Sequence, residues 1–453
     1  MSSPFVAVAP EITAALPALI GKYRVLRKLG EGATSEVFLG HDDFNDRPVA
    51  IKRTRPQMQA ESGDSVAIQA RFFAAEAALV GRLQHPNVVQ IFDAVADPDG
   101  AYVVMEYVAG TTLRQYCRAD TLLPLDQIVE LGFKCAMALG YFSRQGLIHR
   151  DIKPANILAT VTAGDQPVDV KISDFGSVLN LSADTTQVFR VGSLAYMAPE
   201  QLDGDALDTR ADIYALGAVL YQLIAGRPPF EAASQPALMT QICTVDPASL
   251  QALRAGVSPA LDAVVLRALA KSRDNRYADW DQFAQALSAL VANQMVPRGN
   301  LQSVLDSERF NLLRSLEFFA NFGDVELWEV VHRARWQRFP VAHKLYEPGQ
   351  EGNTFHIIAE GSIEVYRDGR QVADLGAGTS VGEMAYLAPN PELRRHSADV
   401  VVTAPTATIA FTPEAMARLS PNCRHLFDEA FIRVLVRRLH AAHEAIAHPR
   451  RIL

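Results

Sequence analysis

The stretch His149-Arg150-Asp151-Ile152-Lys153-Pro154-Ala155-Asn156 decides how the rest of the chain is read. In the six residues from Asp151 to Asn156 it places a carboxylate able to act as a general base, a compact cation and an amide oxygen able to ligate a metal. Downstream, Asp174-Phe175-Gly176 adds a second oxygen donor. About a hundred residues upstream, Val49-Ala50-Ile51-Lys52 ends an apolar strand on a lysine. Such a lysine is either an edge residue or a buried charge with partners, and the neighbouring motifs favour the second. Phosphoryl transfer asks a protein for little covalent chemistry. It needs neutralised charge, a positioned hydroxyl and held divalent cations, and these residue types supply them. Three such motifs in this order point to ATP-dependent phosphoryl transfer.

Working outward, Gly30-Glu31-Gly32-Ala33-Thr34-Ser35-Glu36-Val37 reads as a glycine-rich turn between two strands. Without side chains at Gly30 and Gly32, backbone N–H groups can approach phosphate oxygens. Alone the turn is weak evidence, because Ser35 stands where a third glycine is expected. Short β-branched or aromatic segments predict strands over Tyr23 to Leu29, Glu36 to Gly40, Pro48 to Arg53, Val88 to Val95 and Ala101 to Tyr107. A helix containing Glu76 is expected around Ala67 to Leu83. Helices then dominate, over Leu125 to Gln145, Arg210 to Gly226, Pro259 to Ala270 and Trp280 to Asn293. A small sheet-rich part followed by a larger helical part is a two-lobed α+β arrangement.

From about Tyr23 to Asn293 the chain resembles a eukaryotic-type protein kinase domain, especially the bacterial serine/threonine members. The resemblance implies the bilobal kinase fold, ATP and Mg²⁺ as cofactors, and protein serine or threonine hydroxyls as acceptors. It implies that Lys52 holds the α- and β-phosphates and pairs with Glu76 in the active state. Asp151 would be the base, Lys153 would neutralise the γ-phosphate, and Asn156 and Asp174 would ligate magnesium. Gly30, Gly32, Val37 and Ala50 would line the nucleotide, and the backbone at Glu106 and Val108 would meet adenine. Glu200 and Arg276 match a buried structural pair and Asp212 a structural residue. Arg150 would answer to a phosphate on the activation segment, for which Ser182, Thr185 and Thr186 are the candidates; a phosphate brings about −1.5 to −2 of charge.

The pattern breaks near Val296-Pro297-Arg298-Gly299-Asn300, where a domain boundary is expected. The division is read as an extension over residues 1–20, a kinase domain over 21–294, a linker helix over 295–311 and a regulatory domain over 312–453. Helices are expected over Leu301 to Phe319 and Asp324 to Arg335, and a last one from Pro413 to about His448. Between them short strands separated by glycine turns predict a small β-barrel or jelly roll: Thr354 to Ala359, Ser362 to Arg367, Gln371 to Leu375, Ala398 to Val402 and Ala407 to Phe411. Arg433, Arg437 and Arg438 read as a solvated face of the last helix.

This second part resembles the cyclic-nucleotide-binding domain of bacterial regulators and cyclic-nucleotide-dependent kinases. Gly382-Glu383-Met384-Ala385-Tyr386-Leu387 matches the start of that family's phosphate-binding cassette, which implies backbone N–H groups on a cyclic phosphate and Glu383 on the ribose. The later half departs from the pattern. Ser397-Ala398-Asp399-Val400 puts His396 where the family has its phosphate-binding arginine, with Arg394 and Arg395 just before it. Two readings stand: a shifted loop brings Arg395 in and the domain binds cyclic AMP or cyclic GMP, or the barrel senses something else or mediates contacts.

The bulk composition agrees with a folded chain. Of 453 residues, 49% are apolar and 21% charged. A formal charge of −8 argues against a nucleic-acid-binding surface. The four cysteines have no metal or redox spacing, which predicts reduced thiols in a cytoplasmic protein. The first twenty residues lack the basic leader of a signal peptide, and no uncharged run reaches the ~18–20 residues of a membrane helix. The expectation is a serine/threonine kinase regulated by its barrel and by autophosphorylation. Acting chiefly as a ligand-sensing scaffold or pseudokinase is the alternative, and the sequence leaves a homodimer open.

Overall fold

The structure, a computed structural model, describes residues 16–32, 35–54, 73–96, 100–161, 167–180, 193–297 and 305–447. The chain separates into two compact units, with the division falling between Leu287 and Arg298.

The first unit opens with six strands, a short helix α1 (residues 73–77) lying between the fourth and fifth: β1 (Leu19–Ile20), β2 (Tyr23–Glu31), β3 (Ser35–Asp42), β4 (Arg47–Thr54), β5 (Ile91–Val95) and β6 (Tyr102–Glu106). They form one antiparallel sheet in the order β1-β2-β3-β4-β6-β5. Register assigns the faces. Val37 sits opposite Lys52 and Leu39 opposite Ala50, while Phe38 sits opposite Ile51 and Ile51 opposite Val104. Because side chains alternate along a strand, Val37, Ala50 and Lys52 share one face. The other face packs Tyr23, Phe38, Val49, Ile51 and Val104 into a core.

The helical part is built on α2 (Leu125–Arg144) and α4 (Arg210–Ala225), both apolar on nearly every side and correspondingly buried. A Cβ on Gly132 of α2 would meet Leu220 of α4 at 2.8 Å, so glycine there permits the close approach of the two helices. Short helices α3 (Pro199–Asp203), α5 (Gln235–Thr244), α6 (Pro259–Ala268) and α7 (Trp280–Ala292) complete this part. The loop of residues 149–156 leaves β8 (Leu147–Ile148) and enters β9 (Ile157–Val161). β9 pairs with β7 (Gly110–Thr112) and β10 (Pro167–Ile172), and β8 pairs with β11 (Leu179–Asn180).

In the second unit α8 (Asp306–Ser315) and α9 (Asp324–Arg333) precede two four-stranded antiparallel sheets. One joins β12 (Arg335–Phe339), β19 (Thr406–Phe411), β14 (Phe355–Glu360) and β17 (Ser380–Val381). The other joins β13 (Lys344–Tyr346), β18 (Asp399–Val402), β15 (Ser362–Arg367) and β16 (Arg370–Gly376). Tyr346, Ile358, Ile363, Val381, Val400 and Val402 pack together inside them. The cassette helix α10 (Glu383–Tyr386) follows β17, and α11 (Pro413–Ala417) and α12 (Pro421–Ala447) close the chain.

The expected α+β architecture is present, with differences of local origin. The helix carrying Glu76 is seen over residues 73–77 and gives way to turns by 78, so it ends before Leu83; a left-handed Gly81 follows. The strand expected from Val88 begins only at Ile91, since Val88 makes an isolated parallel bridge to Ile172 instead. Polar Arg335–Phe339 and the three-residue Lys344–Tyr346 are strands that alternation did not reveal. The single last helix is two, because Pro421 has no N–H to continue α11 and instead begins α12. Helix α8 begins at Asp306 and not at Leu301; residues 298–304 lie outside the described set.

Candidate active site

Lys52 lies on the sheet face described above, and its ammonium makes two ion pairs, to Glu76 Oε1 at 2.7 Å and Asp174 Oδ1 at 2.6 Å. Burial alone would pull this lysine's pKa down, but the two carboxylates hold it above its ordinary value. Burial pushes Glu76 up against the pull of Lys52, whereas Lys52 outweighs burial at Asp174 and holds it low. One cation thus ties helix, strand and loop together, over sequence separations of 24 and 122 residues.

Asp151 is held from three sides. Lys153 Nζ donates to its Oδ2 at 2.7 Å, Asn156 Nδ2 to the same oxygen at 3.0 Å, and the Ser193 N–H to Oδ1 at 3.1 Å. The loop itself is shaped by Asp212 at the start of α4, whose buried carboxylate accepts from the backbone N–H groups of His149 at 2.6 Å and Arg150 at 2.8 Å. That clamp accommodates a left-handed Arg150, φ 66°, which for a residue with a Cβ costs about 1–3 kcal/mol. Asp174 is left-handed too, also at φ 66°. Behind it Phe175 is buried against Phe142, ring centroids 5.5 Å apart, and against His149 at 5.8 Å. The Arg150 guanidinium donates to Ser177 O at 2.6 Å. Ser182, Thr185 and Thr186 lie outside the described residues.

The other expected nucleotide positions fall around this centre. Gly30 pairs with Val37 in the β2–β3 ladder, and the Gly32 N–H donates to Ser35 O at 2.8 Å. Neither glycine has positive φ, and an added Cβ would meet nothing closer than 3.6 Å. The fold therefore does not demand glycine at either place. Ala50 is buried, and the Glu106 N–H donates to Gln90 O at 2.8 Å, while its carboxylate pairs with Lys171 at 3.1 Å. Val108 follows β6 and is half-buried.

Among the described residues no group of three or more His, Cys, Asp and Glu side chains could hold a metal by itself. Asn156 turns its amide nitrogen to Asp151, leaving its oxygen, and Asp174 uses only Oδ1 for Lys52. Two hard oxygen donors suit Mg²⁺, which completes its shell with phosphate oxygens and water. Glu200 and Arg276 form a buried bidentate pair at 2.6 and 2.8 Å, away from the reacting groups.

In the second unit the structure separates residues that the sequence groups. Glu383 is buried, and its Oε1 accepts from Arg438 Nη1 of α12, while Arg438 Nη2 donates to Ser380 O at 2.6 Å. The expectation of a solvated arginine face on α12 holds for exposed Arg437, which pairs with Glu317 at 2.6 Å, and is corrected for half-buried Arg438 and Arg433, the latter donating to Phe318 O at 3.2 Å. These partners lie 55 to 120 residues away, so no local pattern could reveal them. Arg395 is exposed and donates to Gly349 O at 2.6 Å; Arg394 donates to Ala388 O at 3.1 Å. His396 is the residue turned inward, buried and stacked on Tyr346 with centroids 3.7 Å apart. Gly382 is left-handed at φ 86°, and a Cβ there would strike the Tyr346 hydroxyl, so this glycine is required by the fold.

The family model for a protein kinase domain matches residues 23–291, and that for a cyclic nucleotide-binding domain matches residues 336–421. Serine/threonine-protein kinase PknB of Mycobacterium leprae is 37% identical over 315 residues, 68% of this chain and 48% of that protein. Serine/threonine-protein kinase PknB of Mycolicibacterium smegmatis is 38% identical over 268 residues, 57% of this chain and 41% of that protein. A probable serine/threonine-protein kinase of Streptomyces coelicolor, SCO3848, is 34% identical over 284 residues, 61% and 41% of the two chains. The chain spans about half the length of the curated relatives it matches.

Proposed function

The chain belongs to the protein kinase family, and from that premise we propose that it transfers the γ-phosphoryl group of ATP to serine and threonine hydroxyls of proteins. The observation that carries this reading is the pair of bonds from Lys52 to Glu76 and Asp174, made while Asp151 is oriented by Lys153, Asn156 and the Ser193 N–H. Lys52 is placed to hold the α- and β-phosphates. Asp151 accepts the proton of the acceptor hydroxyl as it attacks, and Lys153, already beside that carboxylate, offsets charge on the transferring group. Asn156 and Asp174 would hold magnesium, which would supply charge neutralisation along the phosphates. Labelled phosphate from ATP should appear on a generic protein substrate. Asp151→Asn should lower kcat by about 10²–10⁴-fold with nucleotide affinity kept; no transfer by the wild-type chain would leave the scaffold reading instead.

The second domain is read as a regulatory sensor that restrains the kinase. Its ligand must contend with Arg438, which already pairs with one oxygen of Glu383. With Arg395 turned to Gly349 and His396 inward, a cyclic phosphate would rest on backbone N–H groups and α12's arginine. Calorimetry of the full chain with cyclic AMP and cyclic GMP tests this: saturable heat with one supports nucleotide sensing, and heat with neither favours a different ligand.

A further inference from the structure

Beside the catalytic loop lies a pocket of about 470 Å³ whose walls include Arg114, Cys117, Lys153, Ser193, Tyr196 and Gln222. Two of these walls touch Asp151, through Lys153 Nζ at 2.7 Å and the Ser193 N–H at 3.1 Å. A hydroxyl presented to Asp151 therefore brings its own chain neighbours, spaced about 3.3 Å per residue when extended, to this pocket.

The chemistry of the walls is one-sided. Arg114 belongs to the short turn Leu113–Tyr116 and is exposed, and among the described residues its guanidinium has no carboxylate or hydrogen-bond partner. Exposed arginines such as Arg24 and Arg118 do have one, Asp43 and Asp120 respectively. Among the described residues no carboxylate lines the pocket. The titratable groups facing Arg114 are neutral near pH 7: burial pushes the Cys117 thiol up to about 12 and the Tyr196 phenol above its ordinary value. Lys153 is the other cation, and it is committed to Asp151. Tyr196 donates to Gln222 Oε1 at 2.5 Å, which leaves the Gln222 amide hydrogens as further donors. A cation and amide donors without an acceptor partner form a subsite for an anion.

We propose that Arg114 makes this pocket a subsite for an acidic side chain of the substrate, so that the enzyme selects hydroxyls flanked by aspartate or glutamate. The inference rests on the kinase reading and adds its substrate class. A planar guanidinium receives a carboxylate in a bidentate fork, and in a half-open pocket such a pair is worth a preference of roughly three- to tenfold.

The test uses the full-length chain and peptides with one serine or threonine, in which a single aspartate is moved through the three positions on either side. Aspartate at one position should raise kcat/KM by about three- to tenfold over alanine, and phosphoserine there should do at least as well. Arg114→Ala should bring that ratio to one, and Arg114→Glu should invert it in favour of lysine at the same position. Equal kcat/KM for all peptides in the wild-type enzyme, or an acidic preference that survives Arg114→Glu, overturns the inference alone. Absence of transfer to every peptide, together with absence of autophosphorylation, overturns the kinase reading and this inference with it.

Discussion

His356 shows how one buried side chain sets a pH limit. It sits in β14, bonded through Nδ1 to Thr408 Oγ1 at 2.9 Å, and burial holds its pKa down to about 4 from an ordinary 6.5. Between those values the unfolded chain takes up a proton that the folded barrel excludes. Stability is therefore full above pH 6.5, falls as pH drops through the window and levels off near 4. The loss is about 3 kcal/mol at about 1.4 kcal/mol per unit. Thermal melting of the barrel between pH 7 and 4.5 should show it, and His356→Gln should flatten the curve. Equal slopes for the two proteins would refute the assignment. Asp174 and Lys52 illustrate the opposite case, in which burial is offset by a partner of opposite charge.

Elements here are joined by single charged contacts across long sequence gaps. Helix α12 packs Phe427 and Phe431 against Phe355 and Phe411 of the barrel, and Arg438 fastens its later part to the cassette through Glu383. Arg438→Ala would strand a carboxylate whose second oxygen already lacks a partner among the described residues. The barrel should lose about 1–3 kcal/mol, toward the lower end because the Arg438 side chain is 35% exposed. Hydrogen exchange should quicken over residues 421–447, and Glu383→Gln in the same chain should recover part of the loss. Unchanged exchange in Arg438→Ala would show that the aromatic contacts alone hold the helix. The Glu200–Arg276 pair is a comparable fastener in the first unit, but with both side chains buried.

At the scale of the molecule, every group proposed to act on the phosphates of ATP lies in the first compact unit, which also takes in Met295–Pro297. Val296 is buried, so a truncation should end after Pro297 to leave that unit whole. If the second domain restrains the kinase, the truncated chain should phosphorylate a generic substrate several-fold faster than the full chain. Equal or slower transfer would contradict the restraint. The kinase centre was legible because its residues carry chemistry that few other arrangements need: Lys52, Asp151, Asn156 and Asp174 stand in short motifs whose order survives without coordinates. Most strand positions followed from short β-branched or aromatic segments between turns, and the main helices from longer apolar runs. The cassette was half legible, since Gly382-Glu383 announces itself but the partner of Glu383 does not. The sequence by itself carried the motifs on which the resemblance to the kinase family rests, the α+β order of elements and the candidate reacting groups. Only tertiary structure decided that Lys52 reaches Asp174 as well as the expected Glu76, that Arg438 pairs with Glu383, that His396 turns inward where an arginine was expected, and that Arg114 faces a pocket beside the base. The physical reason is that hydrogen bonds and ion pairs depend on distance in space, and folding brings together side chains whose separation along the chain carries no signal of their meeting.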